Sequence, residues 1–110
     1  MKAKAEIEAG VCGFKTIAVV TCDDGQNVSI DIHSGCEKVR GMATALAAKG
    51  PVDTYQEISP ASPSVVLAVA RESLKGCCAA CAAPVGVFKA MQVAAGLALS
   101  KDISIKLSKE

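Results

Sequence analysis

The feature that most constrains this chain is a change of period near residue 34. Before it, apolar residues recur at every second position; after it, they recur at every third or fourth. Ala3, Ala5, Ile7 and Ala9 alternate with Lys4, Glu6 and Glu8, which predicts a half-buried strand over 3–9. Gly10-Val11-Cys12-Gly13 forms a turn, and a second strand rich in β-branched residues runs from about Phe14 to Cys22. Asp23-Asp24-Gly25-Gln26 reads as a hairpin turn in which Asp-Gly serves backbone geometry. A third strand follows, with Val28, Ile30 and Ile32 inward and Ser29, Asp31 and His33 outward.

Helical spacing then takes over. Ser34 and Glu37 are spaced as a capping box, with Val39, Met42, Ala43 and Leu46 on one face behind them and Gly50-Pro51 as the stop. Residues 51–61 are a connection without a clear period. Ser62-Pro63 opens a second helix (Val66, Val69, Ala70, Leu74) that Gly76 ends, and Pro84 lies in the first turn of a third helix reaching about Leu99. Alternation returns at Ile103, Ile105 and Leu107, predicting a last strand over 102–108. The expected order is β-β-β-α-α-α-β. Strands followed by helices specify an α+β fold of two layers, with helices packed on one face of a mainly antiparallel sheet.

At 110 residues the chain is expected to form a single domain, 1–110. Nineteen alanines and only three aromatics (Phe14, Tyr55, Phe88) make the core thin and closely packed, so a homodimer that buries more surface is an open expectation. A net charge of +1, no basic stripe and little aromatic surface argue against nucleic-acid binding. The apolar stretch from Ala79 to Leu99 is interrupted by Lys89 and Gln92 and reads as a buried helix, not a membrane span. No apolar run follows Met1-Lys2, so the expected compartment is the cytoplasm. Six cysteines in that setting point to reduced thiols used for metal or sulfur chemistry.

Topology makes the positions of those cysteines informative. If the first strand runs upward, Cys12 lies at the top, Cys22 falls at the bottom, and His33 and Cys36 return to the top. The first helix then descends. If the second ascends, Gly76-Cys77-Cys78-Ala79-Ala80-Cys81 is also at the top, provided that residues 51–61 do not cross the molecule on their own. Cys36 sits at the start of one helix and Cys81 just before another, where free N–H groups and the positive end of the dipole favour a thiolate. Cys22 is expected to be a core residue.

Two chemistries fit. In the first, Cys12, Cys36 and Cys81, joined by Cys77, Cys78 or His33, bind zinc or an iron–sulfur cluster; Cys77 and Cys78 are adjacent, so at most one faces the centre. In the second, Cys81 is a reactive thiol or persulfide carrier, with Cys36 or another cysteine resolving it. Cys81-Ala82-Ala83-Pro84-Val85, followed by an amphipathic helix and a strand over 81–107, resembles the sulfur-carrier proteins that place Cys-Pro-x-Pro at a helix start, although Ala82 stands where that family has proline. That likeness implies a protein partner in sulfur transfer, as the first chemistry does in metal transfer. A third reading makes the chain a scaffold or interaction module with buried structural thiols. No general base, phosphate loop or cofactor fingerprint accompanies the cysteines, so whether it is an enzyme stays open.

Over most of its length the chain resembles a group of small uncharacterised, cysteine-containing α+β proteins of anaerobic bacteria and archaea. The likeness lies in Gly10-Val11-Cys12-Gly13-Phe14, Ser34-Gly35-Cys36, Cys81-Ala82-Ala83-Pro84-Val85-Gly86 and Lys89-Ala90. It implies an anaerobe's cytoplasm, where exposed thiolates and oxygen-sensitive clusters survive.

Overall fold

The computed structural model describes residues 1–110. The alternating first third forms β1 (Lys2–Glu8), β2 (Lys15–Cys22) and β3 (Asn27–Ser34). β1 pairs antiparallel with β2 from Lys2 opposite Thr21 to Glu8 opposite Lys15, and β2 pairs antiparallel with β3 from Thr16 opposite Ser34 to Cys22 opposite Val28. The β2–β3 turn is built on Asp24. Its Oδ1 accepts the Gln26 and Asn27 backbone N–H groups at 2.9 and 2.7 Å, and its Oδ2 accepts the Asn27 side-chain amide at 3.0 Å. These bonds, the Asn27 side chain's foremost, lower the carboxyl pKa to about 2.

Helix α1 (Glu37–Lys49) follows β3, and β4 (Val52–Asp53) then adds two residues beside Asn27 and Val28, so the sheet order is β1-β2-β3-β4. α2 (Thr54–Ile58), α3 (Val65–Ser73), a 3₁₀ turn over Gly76–Cys78 and α4 (Ala83–Ala94) complete the fold. α4 packs on β1 and β2, α1 on β3 and α3, and all lie on one face of the sheet. The fold is therefore a two-layer α+β arrangement with an antiparallel sheet.

The inward rows of the strands and the apolar faces of α1, α3 and α4 form one core of 20 buried residues, with Met42 and Met91 the largest fully buried side chains. Small residues let α4 lie close. A Cβ on Gly86 would overlap Cγ1 and Cδ1 of Ile7, so glycine is what lets α4 settle against the upper end of β1. At the other end of the helix, Gly96 (φ 78°) ends it in a left-handed turn. Gly96 N–H donates to Val93 C=O at 3.0 Å and Leu97 N–H to Gln92 C=O at 2.8 Å. That motif stops α4 at Ala94, five residues before the expected Leu99.

Three further expectations are corrected. Ser34 does not cap α1: it remains in β3, shares a 2.8 Å hydrogen bond with Thr16 Oγ1, and leaves Cys36 as the N-cap residue. α3 begins after Ser64, not at Ser62-Pro63, because Glu57 anchors its first turn. The Glu57 carboxylate is buried and accepts from Ser64 Oγ (2.8 Å), Val65 N–H (2.6 Å) and Val66 N–H (2.8 Å). Finally, residues 102–108 form no strand. Alternation satisfies the pattern, but a strand needs a ladder partner, and Ile103, Ile105 and Leu107 stand 53, 71 and 92 % exposed with none. The fourth strand is instead the short β4, in the segment without a clear period.

By length and composition, Gly76–Ala94 could cross a membrane. In the fold this stretch is broken at residues 79–82, and the twelve-residue α4 covers the sheet.

Candidate functional site

β1 ends at Glu8 and β3 at Ser34, so the loop 9–14 and the start of α1 share the upper end of the sheet. α1 descends, and β4 and α2 stay at the lower end beside the start of β3. Gly86 against Ile7 and Gly96 near Met1 (3.4 Å from an added Cβ to Met1 Cε) show that α4 runs from top to bottom. α3 therefore ascends, and Gly76–Cys81 lies at the upper end. Cys12, Cys36, Cys77, Cys78 and Cys81 share that end; Cys22, 2 % exposed, closes the core at the other.

Contacts between loops connect these cysteines in sequence. Gly10 and Gly13 close a tight turn around Cys12, Gly13 N–H donating to Gly10 C=O at 2.9 Å, and Cys12 is exposed. Two residues on, the Phe14 ring lies over Gly35, 3.1 Å from where a Cβ would stand, and this ties the Cys12 loop to the residue before Cys36. Cys36 is half-buried at the N-terminus of α1, with its N–H donating to Ser34 Oγ at 3.1 Å. Lys38, in the first turn of α1, extends Nζ to within 3.6 Å of Cys78 Sγ, which fastens the 3₁₀ turn to α1. Cys81 N–H donates to Cys78 C=O at 3.1 Å, so Cys78-Ala79-Ala80-Cys81 is a tight turn with both cysteines half-buried against the core. Cys81 Sγ in turn accepts the Ala83 N–H at 3.5 Å, at the start of α4.

Two of the expected residues are set apart. Cys77 is exposed, whereas its neighbour Cys78 is held by Lys38, which separates a pair that the sequence left equivalent. His33 belongs to the outward row of β3, on the sheet face that carries no helix, and its Nε2 lies 3.0 Å from Asp31 Oδ2. As the side chains stand, no three His, Cys, Asp or Glu groups converge on a point that would hold a metal ion. What is assembled is the backbone frame: three separate segments bring cysteines to one end of the sheet.

Lys38 is the residue that sequence reasoning passed over. A cation in the first turn of a helix opposes the dipole, and a lysine two positions after a cysteine at a helix start signals a partner that outweighs that cost. Glu57 was missed for a different reason: the groups that donate to its carboxylate lie seven to nine residues ahead, beyond the reach of a capping pattern.

A family model matches residues 3–107, and the chain belongs to that family, described as a family of unknown function (DUF6951). No curated protein and no solved structure matches it.

Proposed function

We propose that this member of the family holds a soft metal centre, zinc or an iron–sulfur cluster, on Cys36, Cys78 and Cys81, with Cys12 as the fourth sulfur. The observation that carries the reading is the chain of contacts from the Cys12 loop through Phe14 and Gly35 to Cys36, and from Lys38 to Cys78. Two cysteines separated by two residues in a tight turn form the chelating unit of many structural zinc and cluster sites. Four thiolates around such a centre leave it net negative, and the Lys38 ammonium is placed to offset that charge. Closing the four sulfurs on one centre requires side-chain rotation and adjustment of the exposed Cys12 turn. All six thiols are free, which suits the reducing cytoplasm that we assign to the protein.

The second reading, a sulfur-carrying thiol at Cys81, is favoured by one observation: Cys81 Sγ accepts the N–H that opens α4. Protein produced and purified without oxygen separates the two. On the metal reading it carries zinc or iron in stoichiometric amount, and Cys36→Ala, Cys78→Ala or Cys81→Ala each removes it, while Cys77→Ala and Cys22→Ala do not. Full metal loading in Cys36→Ala would sink the proposed centre. Metal-free protein with one thiol far more reactive than the rest selects the sulfur-carrier reading.

A further inference from the structure

The edge strand β1 and the exposed segment 102–108 match each other: β1 is paired on one side only, and the segment has no ladder partner. Met1 and Cys22 exchange backbone hydrogen bonds in both directions, Cys22 N–H donating to Met1 C=O at 2.8 Å and the Met1 amino group donating to Cys22 C=O. Antiparallel ladders alternate between bonded and non-bonded pairs. In this register Ala3, Ala5 and Ile7 therefore bond to β2, and the N–H and C=O groups of Lys2, Lys4, Glu6 and Glu8 point out of the open edge. A seven-residue edge strand with the backbone groups of four residues unpaired is a template for another strand.

The segment 102–108 is also seven residues long. It alternates Ile103, Ile105 and Leu107 with Ser104, Lys106 and Ser108, and none of it is buried. The helix-side row of β1 is small and only half-buried at Ala3 and Ala5, so three large aliphatics in the next strand position would fill what two alanines leave open. Val93, half-buried, lies two helical turns beyond Gly86 on the stripe of α4 that meets β1, and extends the same apolar strip. On the other face, Lys106 would join a polar row of mixed charge that already holds Lys2, Lys4, Glu6 and Glu8. Within its own chain the segment makes no backbone hydrogen bond to β1.

We propose that residues 102–108 add as a strand to the β1 edge of a second copy of this chain, and that the exchange is reciprocal, giving a two-fold dimer. The match in length, alternation and side-chain size selects a second copy over an unrelated partner. The inference is independent of the metal reading.

The test is sedimentation velocity on the full chain, with amide hydrogen exchange measured residue by residue. The expected species has twice the 11.2 kDa chain mass. In it, the Lys4 and Glu6 amides exchange at least tenfold more slowly than in an Ile105→Asp variant that sediments as a monomer. Ile105 is exposed and outside the core, so that variant leaves the fold intact. A full chain that is monomeric at every concentration overturns the proposal, whether or not the two amides are protected, since protection in a monomer would mean that the segment folds back on its own β1. An Ile105→Asp variant that still dimerises overturns it as well, by assigning the dimer to another surface.

Discussion

Gly86 and Gly41 both occupy helix interiors, and alanine should act on them with opposite signs. Gly41, in α1, is exposed, and an added Cβ meets nothing within 4 Å. Gly41→Ala therefore gains only the helix propensity difference, about 0.8–1.0 kcal/mol. Gly86→Ala gains the same, but its methyl overlaps Cγ1 and Cδ1 of Ile7, a buried β-branched side chain held on a strand. Relieving that overlap means turning Ile7 off its rotamer or lifting α4, at the roughly 1–3 kcal/mol typical of overpacking. The net effect is a loss of about 0–2 kcal/mol, so the two alanine variants should differ by about 1–3 kcal/mol. For a domain of this size that separates their melting temperatures by at least about 4 °C. Urea denaturation followed by circular dichroism reads the difference directly. Ile7→Ala removes both overlapping atoms, so the Gly86→Ala/Ile7→Ala double variant should be more stable than the sum of its single changes implies. Equal stabilisation by Gly86→Ala and Gly41→Ala would refute the close approach of α4 to β1.

Two other perturbations address the turns that set the topology. Glu57→Ala leaves the Val65 and Val66 N–H groups and Ser64 Oγ without their acceptor, and should cost about 2–4 kcal/mol; Glu57→Gln, which keeps one carbonyl acceptor, should cost less, and equal stability of all three proteins in urea would remove Glu57 from the α3 cap. Asp24 has a folded pKa lowered to about 2 against an ordinary value of 3.8, so its contribution to stability is complete above about pH 4 and is lost as pH falls toward 2. Acid titration of Asp24→Asn should therefore show a shallower loss of stability over that window than the parent, with identical slopes counting against the turn network.

The β-rich first third was legible because its cues are local: two-residue alternation, a Gly-flanked turn and an Asp-Gly turn each fix their own backbone. The helices were legible in number and buried face, since Val39, Met42, Leu46, Val66 and Val69 face inward as their spacing requires. Gly50 ends α1 and Pro84 lies in the first turn of α4 as expected, but the starts of α1 and α3 were not legible, because partners distant in sequence act there, as Thr16 holds Ser34 and Glu57 holds residues 64–66. The last strand failed for a related reason. Ile103, Ile105 and Leu107 carry the period of a strand, but the period says nothing about whether an edge is supplied by the same chain. At the cysteine end the sequence could place loops but not rank neighbours. Cys78 is distinguished from Cys77 by its packing against the core and by Lys38, forty residues earlier, and His33 is set apart by the pleat that turns it to the helix-free face.

The same division between core and site predicts how metal removal should act. In small zinc domains the ligands are the core, and the apo chain is unfolded. Here only Cys22 belongs to the 20-residue core, and Cys36, Cys78 and Cys81 pack against it from outside. On the proposed metal reading, loss of the centre should therefore leave the fold standing and remove only the linkage free energy. For metal at a thousand times its dissociation constant that is about 4 kcal/mol, on the order of 20 °C in melting temperature for a domain of this size. Chelation should lower the melting temperature by such an amount while the far-UV spectrum at 20 °C stays unchanged. In hydrogen exchange, the gain in mobility should be confined to residues 9–14, 35–38 and 76–82. A chelated chain that loses its secondary structure outright would mean that the cysteine corner, and not the sheet with α4 laid against it, holds the fold together.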